Sequence, residues 1–166
     1  MYRNIEDFIT EWEHESESTV KVFKNITNLS LNKKDNENVR SIAVLTWHIT
    51  ITLSEMLNKA ELPVTGPDEH SKPPAIITEI IAAYENSSKS VIEQVKKLWN
   101  DATLLEEVPM YGDTWKKGTV LSILIKHQSH HRGQLTVLMR YAGLKVPGVY
   151  GPSKEEWAAW NIPAAE

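Results

Sequence analysis

The residues of this chain best placed to do chemistry are two histidines one helical turn apart, His127 and His131, in the segment His127-Gln-Ser-His-His-Arg-Gly-Gln134. Residues four apart on a helix leave it on the same face, so both imidazoles can address one point. A third histidine, His48, interrupts an apolar helix-like run far upstream, in Trp47-His-Ile49. Three neutral imidazoles converging inside a helical bundle make a facial site for a divalent metal, with positions left open for water or substrate. The competing reading is a set of buried histidines satisfied by hydrogen bonds, the usual state of a lone core histidine. A same-face pair joined by a third histidine in apolar surroundings favours the metal. His130 could also pair with His127 at i, i+3 spacing. At about 100° per residue, however, it falls on the flank of the arc holding Val120, Leu124, His127, His131 and Leu138. Gln134 lies on that same flank, while Gln128 and Arg132 lie toward the other.

The spacing also excludes two chemistries. A zincin needs His-Glu-x-x-His, with the glutamate as general base; here Gln128 stands in that position and cannot take a proton. A ferritin-like di-metal centre needs Glu-x-x-His pairs distributed over the helices, and there are none. Around the histidines, Glu55 lies two turns beyond His48 on nearly the same face. It is read as a partner for an imidazole N–H or as a solvated helix end. Arg132 is expected in a surface salt bridge, with an anionic substrate or a neighbouring subunit as the alternative. Gly133 inside a helix costs about 1 kcal/mol relative to alanine, and close helix approach is the expected compensation. Trp12, Trp47 and Trp115 are read as core or interface residues, and His14 as solvated.

Helical periodicity organises the chain into four long segments. The first runs from about Asn4 to Asn28, with Ile5, Phe8, Ile9, Trp12, Thr19, Phe23 and Ile26 inward and Glu11, Glu13, Glu15 and Glu17 on the outer face. The second runs from about Val39 to Lys59 after the polar break Asn32–Asn38. The third starts at Pro73-Pro74, since proline suits a first turn, and reaches about Trp99. The fourth runs from about Thr119 to Ala142 and is stopped by Gly143 and Pro147. Val108–Trp115, broken by Pro109 and Gly112, reads as an irregular or partly extended connection. Ser153 with Glu156 reads as a capping box for a short last helix bearing Trp157 and Trp160. These elements predict an all-α fold, a four-helix bundle with a short extra C-terminal helix, as one domain over residues 1–166.

Bulk composition agrees with a soluble globular protein. The chain has 166 residues, 41% hydrophobic and 24% charged, with a formal net charge of −4. That balance, with no basic run, speaks against nucleic-acid binding; Lys33-Lys34 and Lys116-Lys117 are isolated pairs expected in solvated turns. Cysteine is absent, which removes disulfides, thiolate zinc sites and a catalytic thiol. Any thiol chemistry must arrive with a substrate. The longest apolar stretch, Ile42 to Leu53, is too short for a membrane span, and no apolar signal region follows Met1-Tyr-Arg-Asn. The expected location is cytoplasmic.

His127-x-x-x-His131-Arg-Gly-Gln134, the tryptophan-histidine pair in the second helix and the closing Pro147-Gly-Val-Tyr150 before a short helix resemble the DinB-like superfamily. That group also embraces bacillithiol- and mycothiol-dependent transferases. The resemblance covers essentially the whole chain in element order. It implies an up-down-down-up bundle and a three-histidine site for nickel, zinc or a similar divalent ion, with His48, His127 and His131 as ligands. It also implies frequent homodimers and no DNA binding. It implies a thiol S-transferase as one activity, with a low-molecular-weight thiol as cosubstrate and a small electrophile as substrate. The alternatives are metal-assisted hydrolysis or isomerisation, and a non-enzymatic, stress-related metal-binding dimer. The sequence assigns no catalytic residue and none that would bind the thiol.

Overall fold

The computed structural model describes residues 1–161 and 163, the Trp160 side chain excepted, so the second tryptophan expected on the last helix lies outside the described side chains. Helix α1 (Ile5–Phe23) starts where the Asn4 carboxamide accepts the amides of Glu6 and Asp7, at 2.7 and 3.4 Å, satisfying two donors the helix cannot. It stops at Phe23 rather than Asn28, and a separate 3-10 turn, Asn28–Ser30, follows. The Asn28 side chain then accepts the Ile77 amide at 2.8 Å. That distant cap explains why α3 (Ile77–Leu98) begins after Pro73-Pro74 rather than on them.

Helix α2 (Ile42–Lys59) is capped by Ser41 and carries a run, Leu45-Thr-Trp-His-Ile-Thr-Ile-Thr-Leu53, that alternates like a strand. Burial overrides that β-branched propensity. The hydroxyls of Thr46, Thr50 and Thr52 bond back to the carbonyls of Ile42, Thr46 and His48 at 2.9 Å, so they can be buried without stranding a donor. Between α3 and α4 (Lys117–Tyr141) the chain forms an antiparallel hairpin, β1 (Glu107–Met110) with β2 (Asp113–Lys116), in the register Val108 to Trp115. Its turn residues Tyr111 and Gly112 both have positive φ, 51° and 85°, the mirror-image geometry that matches strand twist. Gly143, at φ 74°, ends α4, and a short helix α5 (Lys154–Trp157) follows, where the Ser153 amide donates to the Glu156 carboxylate. The fold is thus mostly helical with a small two-stranded sheet.

Helix α2 packs on α3 and α4, and α1 packs on the same two helices. Phe8, Trp12, Phe23, Ile49, Leu53, Ile80 and Tyr84 fill the middle; the Trp12 indole donates across to the Ser88 carbonyl on α3. Among the described residues no helix is long and apolar enough to cross a membrane.

Four expectations about polar or small residues change. Arg132 is 2% exposed and Glu15 3%, so neither belongs to the surface. Their ion pair closes at 2.7 Å between α1 and α4, and Arg132 also donates to the Glu15 carbonyl, the Thr19 hydroxyl and the Tyr150 phenol. Lys117 is buried as well, held by Glu106 and Glu61 over the Trp99 ring, while Lys116 is exposed. Gly133 is exposed, and a side chain there would meet no atom within 4 Å, so close helix approach does not require it. Finally, α4 is rolled relative to the expected arc. Gln128 and Arg132 sit on its buried line, and His127 and His131 are half-buried at its margin.

Removing one member of a buried ion pair strands the other charge, typically at about 3–5 kcal/mol. Arg132→Ala should therefore destabilise by about that much in chemical denaturation. Arg132→Met combined with Glu15→Leu should recover most of the loss, and a double variant as unstable as the single would contradict this account. Gly133→Ala, at an open helical position, should stabilise by about 0.5–1 kcal/mol; a loss of stability would show that the glycine serves packing.

Candidate metal centre

His48 comes from the middle of α2, His127 and His131 from successive turns of α4, and the packing of these two helices brings the three rings together. Their Nε2 atoms face one another: His48 to His131 at 3.1 Å, His131 to His127 at 3.1 Å and His48 to His127 at 3.3 Å. The three form a group whose ligand atoms lie within 4.8 Å of one another and which could hold a metal ion. Nitrogens bound to one zinc at about 2.0–2.1 Å, with angles between octahedral and tetrahedral, stand about 2.9–3.4 Å apart. The observed separations fall inside that span.

Hydrogen bonding among the rings cannot account for the cluster. Each Nε2 carries either a proton or a lone pair, and a hydrogen bond needs one of each. In a closed set of three contacts, at least one must therefore oppose two lone pairs or two protons. The Gln134 carbonyl oxygen narrows this further by accepting the Nδ1 proton of His131 at 2.8 Å. With its proton on Nδ1, His131 presents a lone pair at Nε2, the tautomer a metal requires. The Gln134 amide nitrogen in turn donates to His130 Nε2 at 3.1 Å, which places exposed His130 behind His131 rather than in the cluster. His127 Nδ1 is buried with no hydrogen-bond partner among the described residues. Packing, not a second hydrogen bond, orients that ring.

Electrostatics keep the rings neutral. Burial pulls the His48 pKa down to about 4, with the His131, Arg40 and His127 charges adding to the effect and Glu55 opposing it. Burial also pulls His127 to about 4, followed by His131 and His130. His131 is lowered too, chiefly by burial and against its bond to Gln134. At neutral pH the centre therefore offers three lone pairs without proton loss.

Glu55 serves neither expected role. Its carboxylate accepts from the Tyr111 phenol at 2.8 Å and pairs with Lys59 at 2.8 Å, rather than bonding an imidazole or hanging in solvent. With Tyr111 it borders a cavity of about 420 Å³ onto which His48 and His127 open. The sequence reading missed Tyr111. The one signal was Gly112 between two short β-prone stretches, a residue suited to the positive φ of a two-residue hairpin turn; Tyr111 itself is not a usual turn residue. Trp47 is core, its indole donating to the Ser71 carbonyl at 3.0 Å, and His14 is exposed.

The sequence profile of the DinB family matches residues 1–164. The chain is 35% identical over 164 residues to the uncharacterized protein YrdA of Bacillus subtilis (strain 168), spanning 99% of this chain and 98% of that one. A solved structure of a DinB-like protein from Bacillus cereus ATCC 10987 is similar at a TM-score of 0.86 and 34% identity, over 90% of this chain and 100% of that one. The DinB-like protein YjoA from Bacillus subtilis shares the fold at a TM-score of 0.67 and 15% identity, over 86% of this chain and 97% of that one.

The lowered histidine values set a pH window. The ordinary value is 6.5 and the folded values of His48 and His127 are about 4. Between these the unfolded chain binds more protons, so metal-free stability should fall as pH drops from about 6.5 toward 4 and be unaffected by these groups above it. Denaturation of the metal-free protein across that window should show a shallower slope in His48→Leu/His127→Leu than in the parent. Equal slopes would contradict the burial of neutral rings.

Proposed function

The chain belongs to the DinB family, and on that premise we propose that His48, His127 and His131 hold a divalent metal ion, nickel or zinc, as the working centre of a thiol S-transferase acting on small electrophiles. The observation that carries the metal is the meeting of three Nε2 atoms at 3.1–3.3 Å, a closed triangle that hydrogen bonds cannot satisfy and one cation can. A divalent ion there would lower the pKa of a bound thiol or water and leave it anionic near neutral pH.

The chain's own residues favour the thiol over water. A cysteine-like thiol has a pKa of about 8.5 and needs little help to ionise, whereas water needs more, usually with a general base. Glu55 and Glu69, the carboxylates that share a cavity with His48 and His127, are both engaged, Glu55 by Tyr111 and Lys59 and Glu69 by Lys59. The Gln134–His131 bond holds the third ring in its ligating tautomer. The nucleophile must come from solution, since the chain has no cysteine. For the scaffold we propose the up-down-down-up order. Its support is the pairing of α1 with α3 and α4 and of α2 with the same two helices, with residues 60–76 long enough to carry the chain back between α2 and α3.

Metal content of untagged protein by mass spectrometry should be near one ion per chain, falling sharply in His48→Ala and His131→Ala and unchanged in His14→Ala. Conjugation of a small thiol to monochlorobimane, read by fluorescence, should depend on that metal and vanish in His131→Ala. Equal metal retention in all variants would overturn the ligand assignment; full metal with no metal-dependent conjugation of any small thiol would overturn the transferase.

A further inference from the structure

We propose that the cavity between the start of α2 and the second half of α4, bordered by His131 and Arg40, is the binding site for a small amphiphilic carboxylate. Its acid group would pair with the Arg40 guanidinium and its apolar body would lie along Leu45, Val137 and Leu138. The proposal deepens the metal-centre reading and rests on it for what the bound molecule would meet at His131.

The cavity holds about 560 Å³, the size of a small-molecule site, and most of its wall is apolar surface, with Asp35, Asn38, Arg40, His131 and Gln134 supplying the polar groups. Those polar groups differ in what they have left to give. The Gln134 carboxamide is spent between His131 and His130. The amides at the start of α2 are spent too: Ile42 on the Lys33 carbonyl, Ala43 on the Leu31 carbonyl and Val44 on the Ser41 hydroxyl. Among the described residues Arg40 keeps its full donor set, as do the Asn38 carboxamide and the Tyr141 hydroxyl, and of these three only Arg40 is a cation. Among the described residues no carboxylate lies within ion-pair distance of it, although Asp35 borders the same cavity and accepts from Asn36. Arg40 and His131 border this one cavity, which sets the cation beside the centre.

Charge then selects the side on which an anion can approach. The cavity opening on His48 and His127 carries Glu55 and Glu69, which share the single Lys59 ammonium, so the group keeps a net negative charge that disfavours a carboxylate. The Arg40 side attracts one. Val137 and Tyr141 are 53% and 71% exposed at its mouth and offer apolar surface next to that cation. An unpaired cation and an apolar wall in one cavity, with His131 also on its lining, fit a molecule with an acid at one end and a hydrocarbon or ring at the other.

The test uses octanoate and its uncharged isostere octanamide, titrated calorimetrically at neutral pH into wild type, Arg40→Gln and Val137→Trp, each in metal-free and zinc-loaded form. Wild type should bind octanoate tighter than octanamide by up to about fivefold, the scale of one solvent-accessible charge pair. Arg40→Gln should abolish that preference without changing zinc content, and Val137→Trp should weaken both ligands by narrowing the cavity. Equal binding of the two probes, a preference that survives in Arg40→Gln, or a preference seen only with zinc present would each overturn the site. A wild type that takes up no zinc yet keeps the Arg40-dependent preference would refute the metal reading and leave this site standing.

Discussion

A guanidinium and a carboxylate buried together, Arg132 on α4 and Glu15 on α1, fix how the rest of this molecule is oriented. Neither charge has water to fall back on, so each must be fully met by protein. Arg132 spends its donors on both the carboxylate and the backbone of Glu15, on Thr19 and on the Tyr150 phenol, while Ser129 and Tyr150 also donate to Glu15. A set of partners this specific tolerates one roll of α4 and no other. We attribute to it orientation more than net stability, because a well-packed apolar pair could fill the same space at little cost.

The roll has a direct chemical consequence. With Arg132 and Gln128 turned into the core, where Tyr84 donates to Gln128 at 2.5 Å, His127 and His131 stand on the margin of α4 that faces α2. His48 meets them there, half-buried, where a ligand can reach. The motif residues thus divide the work. Arg132 with Tyr150 sets the helix, Gln134 sets the His131 tautomer, and the histidines supply lone pairs. Three Nε2 atoms this close cannot all satisfy one another, so a cation bound among them would make the geometry of the scaffold and the chemistry of the centre one constraint.

Much of this was legible beforehand, and the failures share a cause. The four long helices follow from apolar periodicity, and the three histidines stood out because they interrupt it. Glu15, Arg132 and Lys117 were read as surface groups because charge is usually solvated, and nothing local reveals a partner 117 residues away. The same ignorance displaced the buried line of α4, since periodicity gives the arc of a helix but two polar residues can pull that arc round when they find each other. The hairpin was half legible: Pro109 and Gly112 announced a break, but which strand met which depended on the positive-φ pair at Tyr111 and Gly112. The start of α3 is displaced because its first amide is capped from a distant part of the chain, by Asn28, whereas α2 starts late at its local cap, Ser41.

The most direct test of the central claim is X-ray absorption spectroscopy on the zinc- or nickel-loaded protein, with the metal's neighbours counted and typed. The account predicts three imidazole nitrogens at about 2.0–2.1 Å, completed by light-atom scatterers from solvent. A centre with fewer than three imidazoles, or one closed by a carboxylate of the chain, would contradict it.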